Sequence, residues 1–198
     1  MSLPEKKAAI FHAVFSLVEQ GRRLADLKVS EIAEAAGIGK GTIYEYFPSR
    51  EDLLRDAVLY SRAQGYQELY GRLSAARGFK ARWQVVEEAA RQLLQCGEVF
   101  LSHLPEQGLS APVLQNLYGT PGERAEIRRM VESVMLCLTE SAVQEGLAPR
   151  IPSAAYLSMV GVGCITAFLL RVALCEQQEQ EIVPALADCR RMYLLALQ

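Results

Sequence analysis

Histidine is nearly missing from this chain: His12 and His103 are its only two. Neither stands in a recognisable catalytic setting, and there is no G-x-S-x-G elbow, no glycine-rich phosphate loop and no H-E-x-x-H pair. Phe11 and Phe15 flank His12 on an apolar helix, which reads as a structural histidine. No enzyme activity is expected, and with it no catalytic residue, no metal and no cofactor. Cysteine is present only as an odd set of five, at 96, 137, 164, 175 and 189, without a C-x-x-C pair. That suits a reducing cytosol better than a disulfide framework; the cysteines read as small buried hydrophobes, with thiol sensing as the alternative. An excess of basic charge is also lacking. The formal net charge is -2, which excludes a uniformly basic nucleic-acid coat, so any DNA contact has to be local.

Long apolar runs are scarce. His12, Ser16 and Glu19 interrupt the N-terminal apolar residues, so no secretion signal is expected and the location reads as cytoplasmic. The stretch 154–174 is long and apolar enough to raise the question of a membrane span. Ser158, Gly161, Gly163, Thr166 and Arg171 interrupt it and no basic cluster flanks it, which predicts a helix buried on most sides within a protein core, with no membrane partner.

What is present is apolar residues at helical spacing: they make up 51% of 198 residues, enough for a sizeable core. No segment sustains the period-two alternation of strands, so the class is all-α, with about nine helices. Ser2-Leu3-Pro4-Glu5 is arranged as a capping box before the apolar stripe Ile10, Phe11, Val14, Phe15 and Val18, which ends near Gly21. Ile32, Ala33 and Ala36 lead to Gly37, where the chain can turn. The segment from Gly41 to Phe47 is too short to be stable alone and has to rest on neighbours through Ile43 and Phe47. Pro48 ends it, and Ser49-Arg50-Glu51-Asp52 caps a long helix reaching about Ser74. Further helices are predicted from Ala81 to about Ser102, from Thr120 to about Glu145, over 153–175 and over 180–197, with one short helix among Pro105, Gly108 and Pro112. Two domains are expected: 1–50 for binding DNA, and 51–198 for an effector and for dimerisation.

The segment from Val29 to Leu54, VSEIAEAAGIGKGTIYEYFPSREDLL, places two short helices around a glycine turn. That is the helix-turn-helix arrangement, whose second helix enters the major groove. On the second helix Lys40 supplies charge, Gly41 permits close backbone approach, Thr42 can meet a base edge, and Tyr44 and Tyr46 offer hydroxyls to phosphates. Charge alone does not make the case. Residues 1–50 hold seven basic side chains (Lys6, Lys7, Arg22, Arg23, Lys28, Lys40, Arg50) and six acidic ones (Glu5, Glu19, Asp26, Glu31, Glu34, Glu45), a surplus of one.

The run I-A-x-x-A-G-x-x-K-G-T-I-Y-x-Y-F followed by S-R-E-D-L-L resembles the DNA-binding region of TetR-family regulators, over roughly residues 5–60. The resemblance implies base and phosphate contacts from Lys40, Gly41, Thr42, Tyr44 and Tyr46, a DNA-facing Ser30, and a phosphate held by Arg50. Three positions depart from the family pattern. Lys28 stands where a capping threonine is common, so the cap of the bracing helix is expected from Ser30 or Asp26. Gly39 replaces a frequent serine, and Glu45 a frequent histidine; Glu45 is either a specificity residue or directed to solvent.

The resemblance also implies an effector pocket in the second domain and a homodimer through its last two helices, near 153–175 and 180–197. Trp83, Phe100, Tyr118, Met135 and Phe168 are the apolar candidates to line such a pocket, with His103 and Arg171 as polar anchors. Each has a plainer alternative: core packing for the apolar five, closure of a helix end for His103, and ion pairing across an interface for Arg171. The function so implied is a ligand-responsive repressor that binds a near-palindromic DNA operator as a dimer and is released by a small-molecule effector. The alternative is a helical interaction protein of the same fold without specific DNA binding.

Overall fold

The computed structural model describes residues 5–95, 120–175 and 178–198. Among them it contains eight α-helices and no strand, which confirms the all-α class with a count near the nine expected. The helices are α1 Glu5–Glu19, α2 Val29–Ala35, α3 Lys40–Tyr46, α4 Arg50–Ala75, α5 Phe79–Gln95, α6 Pro121–Gln144, α7 Ala154–Ala173 and α8 Gln178–Ala196, with a short 3-10 turn at Leu24–Asp26. Ser2, Leu3 and Pro4 of the proposed capping box and the short helix near Pro105 lie outside the described residues. The described residues fall into two compact units, one built on residues 5–64 and the other on 65–95, 122–175 and 178–198.

In the first unit, Ile10, Phe11 and Val14 of α1 are buried with Leu24, Leu27, Ile32, Ile43, Phe47, Leu53 and Ala57. Phe11 is the hub, its ring centroid 5.6 Å from that of Phe47 and 5.0 Å from that of Tyr60. His12, expected on the core side, is instead exposed, and its ring meets Tyr60 edge-on at 6.2 Å. The reason is helical phase: the buried positions 10, 11, 13 and 14 define one face, and residue 12 falls outside it.

The second unit is cored by Phe79, Trp83, Met135, Leu138, Leu157, Phe168, Leu186 and Tyr193, drawn from α5 to α8. The rings of Phe79 and Tyr193 stack 6.4 Å apart, and Trp83 lies 5.6 Å from Tyr193. The first turn of α5 is closed from a distance, since the backbone N–H of Phe79 donates to Glu145 Oε1 at 2.7 Å. Gly161 of α7 lets that helix approach α6, because a Cβ there would fall 2.3 Å from Met135 Sδ. Gly163, by contrast, faces open space.

Thr139 Oγ1 donates to the Met135 carbonyl at 2.7 Å and lies 2.6 Å from Tyr193 Oη. Because the threonine proton is already committed, the tyrosine hydroxyl is the donor in that pair. Tyr193→Phe is expected to cost about 1 kcal/mol, read as a fall in thermal midpoint of about 2–4 °C. Burial pushes the Tyr193 phenol up to about 12, above its unfolded value near 10. Its stabilising contribution is therefore complete below about pH 10 and is lost as pH rises towards 12. Parallel melts of the two proteins across that window should show the steeper alkaline loss in the wild type.

The apolar helix α7 is not buried on most sides. Of the described helices it is the one long and apolar enough to cross a membrane, and only 17% of its most apolar window is buried. Leu157, Phe168 and Val172 face inward, whereas Met159, Val162, Leu170 and Leu174 are exposed. The expectation fails because the partners within the chain cover a single face of α7.

Candidate nucleic-acid interface

Two short helices are held here by features that leave one surface free. The backbone N–H of Lys28 donates to Glu31 Oε2 at 2.9 Å, closing the start of α2 from its third position. Neither Ser30 nor Asp26 provides that cap: Ser30 already lies inside the helix and Asp26 pairs with Arg23 at 3.7 Å. The Lys28 N–H together with Arg22, 2.7 Å away, holds the Glu31 carboxyl below its ordinary range. The bridge is exposed, and its contribution disappears only as pH falls through that lowered value.

The helix ends at Gly37, whose φ of +66° strongly favours glycine. There the N–H of Ile38 reaches back to the Ala33 carbonyl at 3.0 Å and that of Gly37 to Glu34 at 3.1 Å, the double closure that reverses a helix end. Gly39 then begins α3 in an extended conformation. A side chain there would meet nothing nearer than Thr42 Oγ1 at 3.8 Å, so the glycine in place of the family's serine is not demanded by the backbone.

On α3, Ile43 is buried and Phe47, immediately after the helix, is buried too. They fix which side of the helix faces the core. Lys40, Gly41, Tyr44 and Glu45 are exposed, Thr42 and Tyr46 are half-buried, and Ser30 on α2 is exposed. Tyr44, 47% accessible, is among the large apolar side chains left in solvent. Lys40 has no ion-pair partner among the described residues.

Arg50 is half-buried and bonded within the chain. Its Nε donates to the Leu27 carbonyl at 2.7 Å, a second nitrogen donates to the Ala25 carbonyl, and Glu51 lies 3.4 Å away. The guanidinium therefore ties the start of α4 to the turn preceding α2. Its neighbour Ser49 does what the sequence predicts, accepting the Asp52 N–H at 3.0 Å and donating to the Asp52 carboxylate at 2.7 Å.

Of the pocket candidates, Trp83, Met135 and Phe168 come together in the core of the second unit. Trp83 Nε1 is buried and has no hydrogen-bond partner among the described residues, a polar group that favours a ligand or a further donor–acceptor match. Arg171 stands apart from them: it is exposed and binds Glu181 and, at 2.5 Å, Asp188, an ion pair between α7 and α8 within the chain. Those two carboxylates push the guanidinium pKa further up. Phe100, His103 and Tyr118 lie outside the described residues. A groove of about 680 Å³ between α5 and α8 is lined by Arg91, Leu186, Arg190 and Leu194 among others. None of the described candidates lines it.

The all-helical fold with an exposed second helix after a glycine turn defines a helix-turn-helix protein with a larger helical domain. Residues 22–57 match the family described as bacterial regulatory proteins, tetR family, so the helix-turn-helix segment is of the TetR type; no subfamily is assigned. The fold of the chain is that of solved TetR-family regulators. A TetR transcription regulator from Haloarcula marismortui superposes with a TM-score of 0.66 at 17% identity, covering 98% of this chain and 99% of that one. Reduced NemR from E. coli gives 0.64 at 17% identity, with 95% and 97% covered. FadR from Bacillus subtilis, in complex with stearoyl-CoA, gives 0.60 at 16%, with 96% and 97% covered. No curated protein sequence matches the chain.

Proposed function

We propose that this chain is a cytoplasmic transcription regulator that binds a near-palindromic DNA operator as a homodimer, represses, and is released by a small-molecule effector. The observation that carries the reading is α3 itself. Lys40, Gly41, Thr42, Tyr44 and Tyr46 lie on a helix pinned by Ile43 and Phe47, while Ser30 stands exposed on the bracing helix. Those groups supply one cation, three hydroxyls and a close backbone approach to the major groove, with the Ser30 hydroxyl beside them. In this reading residues 1–50 form the DNA-binding domain and 51–198 the effector and dimer domain, joined by α4, whose residues contribute to both units.

Dimerisation is supported by the exposed apolar side chains of α7 and α8, since a patch of that kind marks an association surface. A two-fold dimer presents two recognition helices to half-sites about 34–36 Å apart, or a multiple of that. For the effector, the core around Trp83, Met135 and Phe168 is the proposed seat, with the unpartnered Trp83 N–H as its polar hook. A ligand that binds the DNA-incompetent state more tightly releases the operator in proportion to that difference.

Selection of bound duplexes from a random pool tests the reading. A palindromic winner is expected, with a log–log salt slope of about 0.9 per neutralised phosphate. Lys40→Ala and Tyr44→Ala should each weaken binding about tenfold, the loss of one hydrogen bond to a charged group. If no sequence is enriched and residual binding ignores both changes, a helical interaction protein of this fold is the better account.

A further inference from the structure

Helices α7 and α8 bring two thiols together. Cys189 is buried, and its Sγ–H donates to the carbonyl oxygen of Cys164 at 3.3 Å. A carbonyl oxygen lies about 2.4 Å from its own Cα by standard bond lengths, so the Cys189 sulfur lies within roughly 6 Å of the Cys164 Cα. Adding the roughly 2.8 Å from that sulfur to its own Cα bounds the Cα separation at about 8.5 Å, against the roughly 4.4–6.8 Å that a disulfide spans. Closing the bond asks for rotation of both side chains and for α7 and α8 to draw together by at most about 2 Å. Both thiols are free. Cys137, by contrast, is packed with Leu73 and Val134.

We infer that Cys164 and Cys189 are a closable dithiol, which a hydroperoxide oxidises to an intrachain disulfide stapling α7 to α8 and which a thiol reductant reopens. Cys164 is the more exposed of the two and reacts first. Its thiolate attacks the terminal peroxide oxygen, the O–O bond breaks, and the departing alkoxide takes up a proton as alcohol, leaving a sulfenic acid. The Cys189 sulfur then attacks the Cys164 sulfur, the S–O bond breaks, and the hydroxyl leaves with the Cys189 proton as water. Two thiols and one hydroperoxide become one disulfide, one alcohol and one water.

The environment sets the tempo. Burial raises both thiols, Cys189 to about 11, with Cys164 and Asp188 adding to the rise and Arg171 opposing it. Little thiolate exists at neutral pH, so the pair answers sustained oxidant over a brief pulse. The bond links residues 25 apart, and the loop it closes should raise the thermal midpoint by about 5–10 °C.

The test is treatment of the folded full-length chain with excess hydrogen peroxide, followed by N-ethylmaleimide capping, proteolysis and mass spectrometry. The expected product is a cross-linked peptide pair holding Cys164 and Cys189, two hydrogens lighter than the sum of its parts, on a chain that stays single on a non-reducing gel. Dithiothreitol should abolish it, together with the rise in thermal midpoint. Cys164→Ser, at the more exposed position, should prevent it while the far-ultraviolet spectrum is kept. Recovery of both cysteines as maleimide adducts after oxidation overturns the inference, as does a dominant bond from either to Cys96, Cys137, Cys175 or a second copy.

Discussion

Replacing Phe47 with alanine should cost about 3–5 kcal/mol, the range for emptying a buried aromatic site, and should remove DNA binding with it. Phe47 is 1% exposed, its ring stands 5.6 Å from Phe11, and the ammonium of Lys7 sits 5.1 Å above it. The seven residues of α3 cannot hold a helix by themselves; burial of Ile43 and Phe47 does it for them. Set against a total stability of about 5–15 kcal/mol, the loss is a large fraction. Urea titration should show the midpoint displaced far to lower denaturant, whereas Phe47→Leu should cost much less. Tyr44→Ala supplies the contrast: exposed Tyr44 should change stability by no more than about 0.5 kcal/mol while weakening DNA binding. If Phe47→Ala left the midpoint within that margin, the packing account of α3 would be wrong.

The second large effect concerns the outer face of α7. Met159 and Leu170 are 65% and 52% accessible, so exchanging both for aspartate should leave the chain folded. In the dimer proposed above the same change buries unpaired carboxylates, which is strongly unfavourable. Sedimentation should then find a monomer. Affinity for a two-half-site operator should fall by about a hundredfold or more, the benefit of joining two binding modules, while affinity for a single half-site is kept. A dimer that survives the double substitution would place the contact elsewhere.

How far the sequence could be read differed from one element to the next. Ser49 and Asp52 form the predicted cap because the interaction spans three residues, and such local chemistry is written in order along the chain. Gly37 turns α2 out as predicted for the same reason. Glu31 carries a comparable signal, an acid at the third helical position, masked by the lysine that stands at position 28 in place of a capping threonine. Arg50 was beyond reach: the carbonyls it binds are 23 and 25 residues upstream, and no local pattern announces them. Arg171 likewise spends its charge on Glu181 and Asp188 of α8. The pairing of Cys164 with Cys189 depends on the phase at which α7 meets α8, which neither helix encodes alone.

Taken by itself, the sequence determined the helical class, the glycine turn, the capped start of α4 and the short stretch whose hydroxyls and lysine fit a recognition helix. These follow from interactions between residues a few positions apart. The tertiary structure alone decided which polar side chains remain available, which thiols meet and how little of α7 the chain covers. Those outcomes depend on contacts between distant residues, where packing phase and competition for each hydrogen-bonding group choose among options that local sequence leaves equal.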